Sequence, residues 1–89
     1  MAWRIELDPA AARELAKLDP QDARRVLRFL SLRLARAAGP RAVGQALKGS
    51  RLGEFWKYRV GDFRIIARIE DRALLILVLL VAHRRDIYR

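Results

Sequence analysis

The chain has 89 residues, 53% of them apolar and 33% charged, which is enough for one hydrophobic core and too apolar for intrinsic disorder. It has no cysteine and a single histidine, His83, so a disulfide framework, a thiol nucleophile and thiolate-bound metal are excluded; no spacing of His, Asp or Glu resembles a metal site. Nineteen Lys+Arg against ten Asp+Glu leave a formal charge of +9, and only Lys17, Lys48 and Lys57 of those cations are lysines. Arginine is always charged and its planar fork of donors matches phosphate oxygens, so this balance points to nucleic acid, an acidic protein partner, or both.

Trp3, Ile5 and Leu7 alternate with Arg4 and Glu6, the period-2 pattern of a strand with one buried face. Asp8-Pro9 supplies a helix-capping acid followed by proline at the first helical position, and Ala12, Leu15 and Leu18 recur at helical spacing. Asp19-Pro20 repeats that signal, and Ala23, Val26/Leu27, Leu30 and Leu34 mark one face of a longer helix that Gly39-Pro40 ends. Its opposite face, with Arg24, Arg25, Arg28 and Arg36, reads as solvated surface, with a nucleic-acid or ribosome footprint as the alternative. Residues 41–53 lack periodicity and carry three glycines with Arg41, Lys48 and Arg51, which predicts a basic loop. Trp56, Tyr58 and Val60 then alternate with Phe55, Lys57 and Arg59; Gly61-Asp62 fits a two-residue type II′ hairpin turn; Phe63, Ile65, Ala67 and Ile69 form the apolar face of the next strand. After Asp71-Arg72, the aliphatic run Ala73–Val81 predicts a buried strand. The longest uncharged apolar run is about half of the roughly 20 residues a spanning helix needs, and no apolar signal core opens the chain, so no membrane is expected.

The expected fold class is therefore α+β in the order β-α-α-β-β-β: a single domain over residues 1–89, with a mainly antiparallel four-stranded sheet and an N-terminal helical hairpin on one face. The hairpin register pairs Val60 with Phe63, Arg59 with Arg64, Tyr58 with Ile65 and Lys57 with Ile66. It puts Trp56, Tyr58, Val60, Phe63, Ile65, Ala67 and Ile69 on one face and Lys57, Arg59, Arg64 and Arg68 on the other. Like charges directly opposite one another destabilise a sheet, and four on one face suggest an anion site. The end of the last strand should lie near the Gly61-Asp62 turn, bringing His83 and Arg84 toward Arg64. An imidazole among arginines favours its neutral, proton-accepting form, which makes His83 a possible catalytic residue.

Leu47-Lys48-Gly49, Trp56-Lys57-Tyr58-Arg59-Val60-Gly61-Asp62-Phe63-Arg64 and Ala82-His83-Arg84-Arg85-Asp86-Ile87-Tyr88-Arg89, together with the element order, resemble the RelE branch of the RelE/ParE toxin superfamily over nearly the whole chain. The resemblance implies the toxin of a toxin–antitoxin pair: a ribosome-dependent, metal-independent endoribonuclease that cleaves mRNA by attack of a 2′-hydroxyl on the phosphodiester. The alternative it implies is a ParE-like toxin that poisons DNA gyrase without catalysis. A plain basic nucleic-acid-binding module would explain the charge but not its clustering on one sheet face. The resemblance further implies catalytic roles for Lys57, Arg59, Arg64, Arg84 and Tyr88, with Arg64 and Arg59 on the phosphate, Lys57 or Tyr88 as base, and Arg84 or His83 at the leaving oxygen. The slot of Arg59 is lysine in the best-known members, and the interval from Arg84 to Tyr88 is shorter than theirs. Lys48, Arg51, Arg68 and Arg85 are expected to contact RNA or ribosome. No cofactor is expected. The expected partners are a RelB-like antitoxin, acidic and partly disordered when free, in a higher-order hetero-oligomer, and the ribosome with its mRNA. The expected location is the cytoplasm.

Overall fold

The computed structural model describes residues 3–47 and 55–87. β1 (Arg4–Leu7) leads into α1 (Pro9–Lys17) and α2 (Pro20–Arg28). The Asp8 carboxylate caps α1 by accepting the Ala10 N–H at 3.1 Å, and Pro9 and Pro20 occupy first-turn positions, where a missing N–H costs nothing. α2 continues as a wider π turn over Phe29–Leu34, closed by the Ala35 N–H on the Leu30 carbonyl at 2.9 Å. Val26, Leu30 and Leu34 are buried as the spacing predicts, whereas Leu27 is 46% exposed. In α1 the buried residues are Ala11 and Leu15, and Ala12 faces outward.

The described part of the predicted basic loop is regular structure. Pro40–Val43 form a 3-10 turn, and Gln45–Ala46 form a short strand, β2, on the edge of β3 (Phe55–Val60). β4 (Phe63–Glu70) and β5 (Leu75–His83) complete the sheet, followed by a four-residue helix, α3 (Arg84–Ile87). The α+β class and the helical layer on one face stand as expected. The sheet itself has five strands rather than four, in the order β1-β5-β4-β3-β2, with β1 parallel to β5 and the other pairs antiparallel.

The β3–β4 register is the expected one, Val60 with Phe63 through Lys57 with Ile66. Gly61 has φ +58. That backbone conformation strains an L side chain, and a Cβ there would also displace the Arg25 guanidinium, whose carbon would lie 2.8 Å away. β5 is less enclosed than its aliphatic run suggests. Ile76, Val78 and Val81 face the helices and are buried, Leu80 is exposed on the other face, and one extra residue bulges between the Ile66–Leu80 and Ala67–Val78 pairs.

The core joins Val26, Leu30, Leu34, Tyr58, Ile65, Ala67, Ile76, Val78 and Val81, with Phe29 at 6.1 Å from the Tyr58 ring. Tyr58 reaches through it and donates its hydroxyl proton to the Pro40 carbonyl at 2.8 Å, and burial pushes its pKa up to about 12. Gly44 lies against the same ring, where a Cβ would come within 2.5 Å of Cε1. Tyr58 thus fixes the 3-10 turn from beneath. Tyr58→Phe, which leaves the Pro40 carbonyl without its partner, is expected to cost about 1–3 kcal/mol in denaturant unfolding; Gly44→Ala should cost roughly 1–3 kcal/mol through overpacking.

Candidate RNA-cleavage cleft

Because β3 and β4 alternate, the face opposite the helices collects Lys57, Arg59, Arg64 and Arg68. Arg59 and Arg64 are directly opposite each other. β2 pairs with β3 at Trp56 and Lys57, and among the described residues no strand pairs with that edge at Arg59. A cleft of about 470 Å³ opens there, lined by Lys57, Arg59 and Arg64 from the sheet, by Ala42, Val43, Gly44 and Gln45 from the 3-10 turn and β2, and by Arg33 from the π turn. Among the described residues, four cations and no carboxylate line it.

Arg64 is the fixed member. It is only 7% exposed, and Nη1 donates to the Gly61 and Phe63 carbonyls, each at 3.1 Å. A buried guanidinium held on two backbone oxygens keeps its geometry, and among the described residues its other nitrogens have no protein acceptor. Arg84 meets the same turn from the other side. Its N–H donates to the Asp62 carbonyl at 2.7 Å, while its guanidinium stands 4.0 Å from the Asp62 carboxylate with both side chains exposed, a contact of little strength. The Gly61-Asp62 turn therefore gathers Arg64 and Arg84 at one end of the sheet.

His83 does not join them. Its pairing partner is Phe63, against whose ring it stacks edge-on at 5.4 Å, whereas Ala82 is the residue opposite Arg64. Directly paired residues share a face, so His83 looks toward the helices. It lies in a second groove, with Glu14, Asp19, Asp22, Asp86 and Arg85, and its Nδ1 accepts the Arg85 N–H at 3.2 Å. The expected approach of His83 to Arg64 is thus corrected by strand parity. Arg85 also stands away from the cleft. Arg68 is on the cationic face but outside the cleft's lining; its Nε stands 3.0 Å from Glu70 Oε1, without the alignment of a hydrogen bond. Lys48, Arg51 and Tyr88 lie outside the described residues.

Arg33 and Gln45 were not marked by the sequence reading. Arg41 was read only as part of a basic loop. It makes a two-pronged ion pair with Asp71 at 2.9 and 2.8 Å and sits 5.8 Å over the Trp56 ring, tying the cleft wall to the β4–β5 turn. That hydrogen-bonded partner raises the pKa of Arg41 and lowers that of Asp71. The stability this pair gives is present above the ordinary carboxylate pKa and is lost as pH falls through the lowered Asp71 value.

The comparisons agree with this architecture. The family model described as the ParE toxin of type II toxin-antitoxin systems, parDE, matches residues 5–88. Toxin RelG of Mycobacterium tuberculosis is 35% identical over 89 residues, covering 100% of this chain and 99% of its own. Among solved structures, the RelBE2 toxin–antitoxin complex of Mycobacterium tuberculosis matches with a TM-score of 0.83 and 30% identity over 94% of this chain and 93% of that one. The RelE–RelB complex of Pyrococcus horikoshii matches at 0.75 and 25% identity, over 94% and 97%. The chain belongs to the RelE/ParE superfamily of type II toxin–antitoxin toxins.

Inorganic phosphate titrated into the protein at low salt should shift the backbone amides of Lys57, Arg59 and Arg64 in NMR spectra and leave Arg68 nearly still. Equal shifts at all four would mean that the cationic face binds anions as a diffuse patch.

Proposed function

We propose that the chain is a RelE-type endoribonuclease that cuts ribosome-bound mRNA in this cleft. The observation that carries the reading is the buried, carbonyl-anchored Arg64, opposite Arg59 and sharing the cleft with Lys57, with no carboxylate among the described residues that line it. A like-charged cross-strand pair is unfavourable in the free protein and becomes favourable when a phosphodiester sits between the guanidinium groups.

The reaction follows from what these groups can do. The 2′-hydroxyl oxygen attacks phosphorus and loses its proton to Lys57 or Tyr88. The phosphorane's added negative charge is met by Arg64 and Arg59, fixed donors that do not titrate. The 5′-oxygen leaves with a hydrogen bond from Arg84 and takes its proton from solvent water, giving a 2′,3′-cyclic phosphate and a 5′-hydroxyl. No metal or cofactor is needed for these steps.

The second reading, a ParE-type gyrase poison, is favoured by the description of the matching family model. It gives no role to Lys57, Arg59 and Arg64 lining one cleft. An antitoxin partner fits both readings. The two solved relatives described above are toxin–antitoxin complexes, and a chain of charge +9 suits an acidic segment whose apolar side chains can enter the groove lined by Ile5, Leu7, Leu27, Leu30 and Ser31.

Arg64→Ala should lower mRNA cleavage, mapped as new transcript ends after brief induction, by about 10²–10³. His83→Ala, on the other face, should lower it far less. Growth arrest undiminished in an Arg64→Ala, Tyr88→Ala double variant, accompanied by DNA-damage signalling, would transfer the assignment to the gyrase poison.

A further inference from the structure

Besides Lys57, Arg59 and Arg64, the cleft is lined by Arg33, Ala42, Val43, Gly44 and Gln45, and these residues bring a different chemistry. Its wall is Ala42, Val43 and Gly44, three small uncharged residues held in place by the Tyr58 hydroxyl on the Pro40 carbonyl and by Gly44 against the Tyr58 ring. Arg33 and Gln45 stand at its margins. Gln45 is exposed on β2 directly opposite Lys57, and its carboxamide carries both donors and an acceptor. Arg33 is exposed and, among the described residues, has no ion pair or hydrogen-bond partner. It belongs to the π turn, whose i to i+5 bond between Leu30 and Ala35 shifts the helix phase at that point. Such turns recur at functional sites.

We propose that Arg33, Gln45 and the Ala42–Gly44 wall form a nucleotide subsite adjoining the scissile phosphate. Arg33 holds a neighbouring backbone phosphate, and Gln45 contacts the edge of a base lying against the wall. The inference rests on the ribonuclease reading and adds to it: Lys57, Arg59 and Arg64 act on the bond that breaks, and these residues choose which nucleotide is presented. A volume of about 470 Å³ is more than a phosphate group fills, which agrees with a larger ligand unit. The structural alternative is that Arg33 merely complements the negative end of α2 and its π turn. A cation with that role alone would affect stability and not RNA.

The test uses the purified full chain and a fluorescent single-stranded RNA with 2′-O-methyl riboses, which cannot react. Its affinity is measured by anisotropy across a range of salt concentrations. Arg33→Ala should reduce the slope of log affinity against log salt by about 0.7, the loss of one phosphate contact on a single strand, with little change in melting temperature. Arg72→Ala, an exposed cation in the β4–β5 turn, should leave the slope unchanged. Gln45→Ala should keep the slope and even out the affinities for oligonucleotides that differ in one base. A wild-type protein that binds RNA, with Arg33→Ala matching its slope and affinity, would overturn the subsite alone. A wild-type protein that neither binds this RNA nor cleaves mRNA would overturn the ribonuclease reading and the subsite with it.

Discussion

Two residues, Gly61 and Asp62, decide which way every side chain of β3 and β4 points. Side chains alternate along a strand, so a register slip of one residue would put Lys57, Arg59 and Arg64 under the helices and Tyr58 and Ile65 in water. The turn's constraints are local and severe. Gly61 takes a positive φ and leaves space for the Arg25 guanidinium above it. The same turn also supplies acceptors: the Gly61 carbonyl holds Arg64, and the Asp62 carbonyl receives the Arg84 N–H. One turn therefore sets the register, anchors the buried cation and brings the end of β5 beside it.

The cationic face works against the sheet that carries it. Arg59 opposite Arg64 costs on the order of 0.2–1 kcal/mol, and keeping a guanidinium nearly buried adds desolvation that two carbonyl bonds only partly offset. The stability is supplied on the other face, where Tyr58, Ile65, Ala67, Ile76, Val78 and Val81 pack beneath Val26, Leu30 and Leu34. Tyr58 connects the two sides: its ring belongs to the core, and its hydroxyl positions the wall of the cleft. Local rules broken at one place and compensated at another are the expected mark of a site built to bind an anion.

How much of this could be read in advance follows from the range of each interaction. The β3–β4 hairpin was legible because its pattern and turn are contiguous in sequence. The parallel pairing of β1 with β5 was not, since nothing in either strand encodes a partner some seventy residues away, and a uniformly aliphatic β5 gives no alternation from which its bulge could be seen. Lys57, Arg59 and Arg64 were legible as a cluster by parity. His83 was misplaced because nearness along the chain was taken for a shared face, while the pairing puts Ala82 opposite Arg64. Arg33 carries no signal in the sequence, because the π turn over Phe29–Leu34 changes the helix phase at that point and a regular helical pattern does not show it. Gln45 could not be placed without β2, a strand of two residues.

The central claim is that the Arg64 cleft stabilises a phosphorane formed by internal attack. The most direct measurement is the chemistry of the cut ends, read by mass spectrometry after the protein acts on ribosomes translating a defined mRNA. The account predicts upstream fragments ending in a 2′,3′-cyclic phosphate, downstream fragments beginning with a 5′-hydroxyl, and no cleavage where the nucleotide before the scissile bond is 2′-deoxy. Fragments beginning with a 5′-phosphate, or cleavage that persists at the deoxy position, would contradict it.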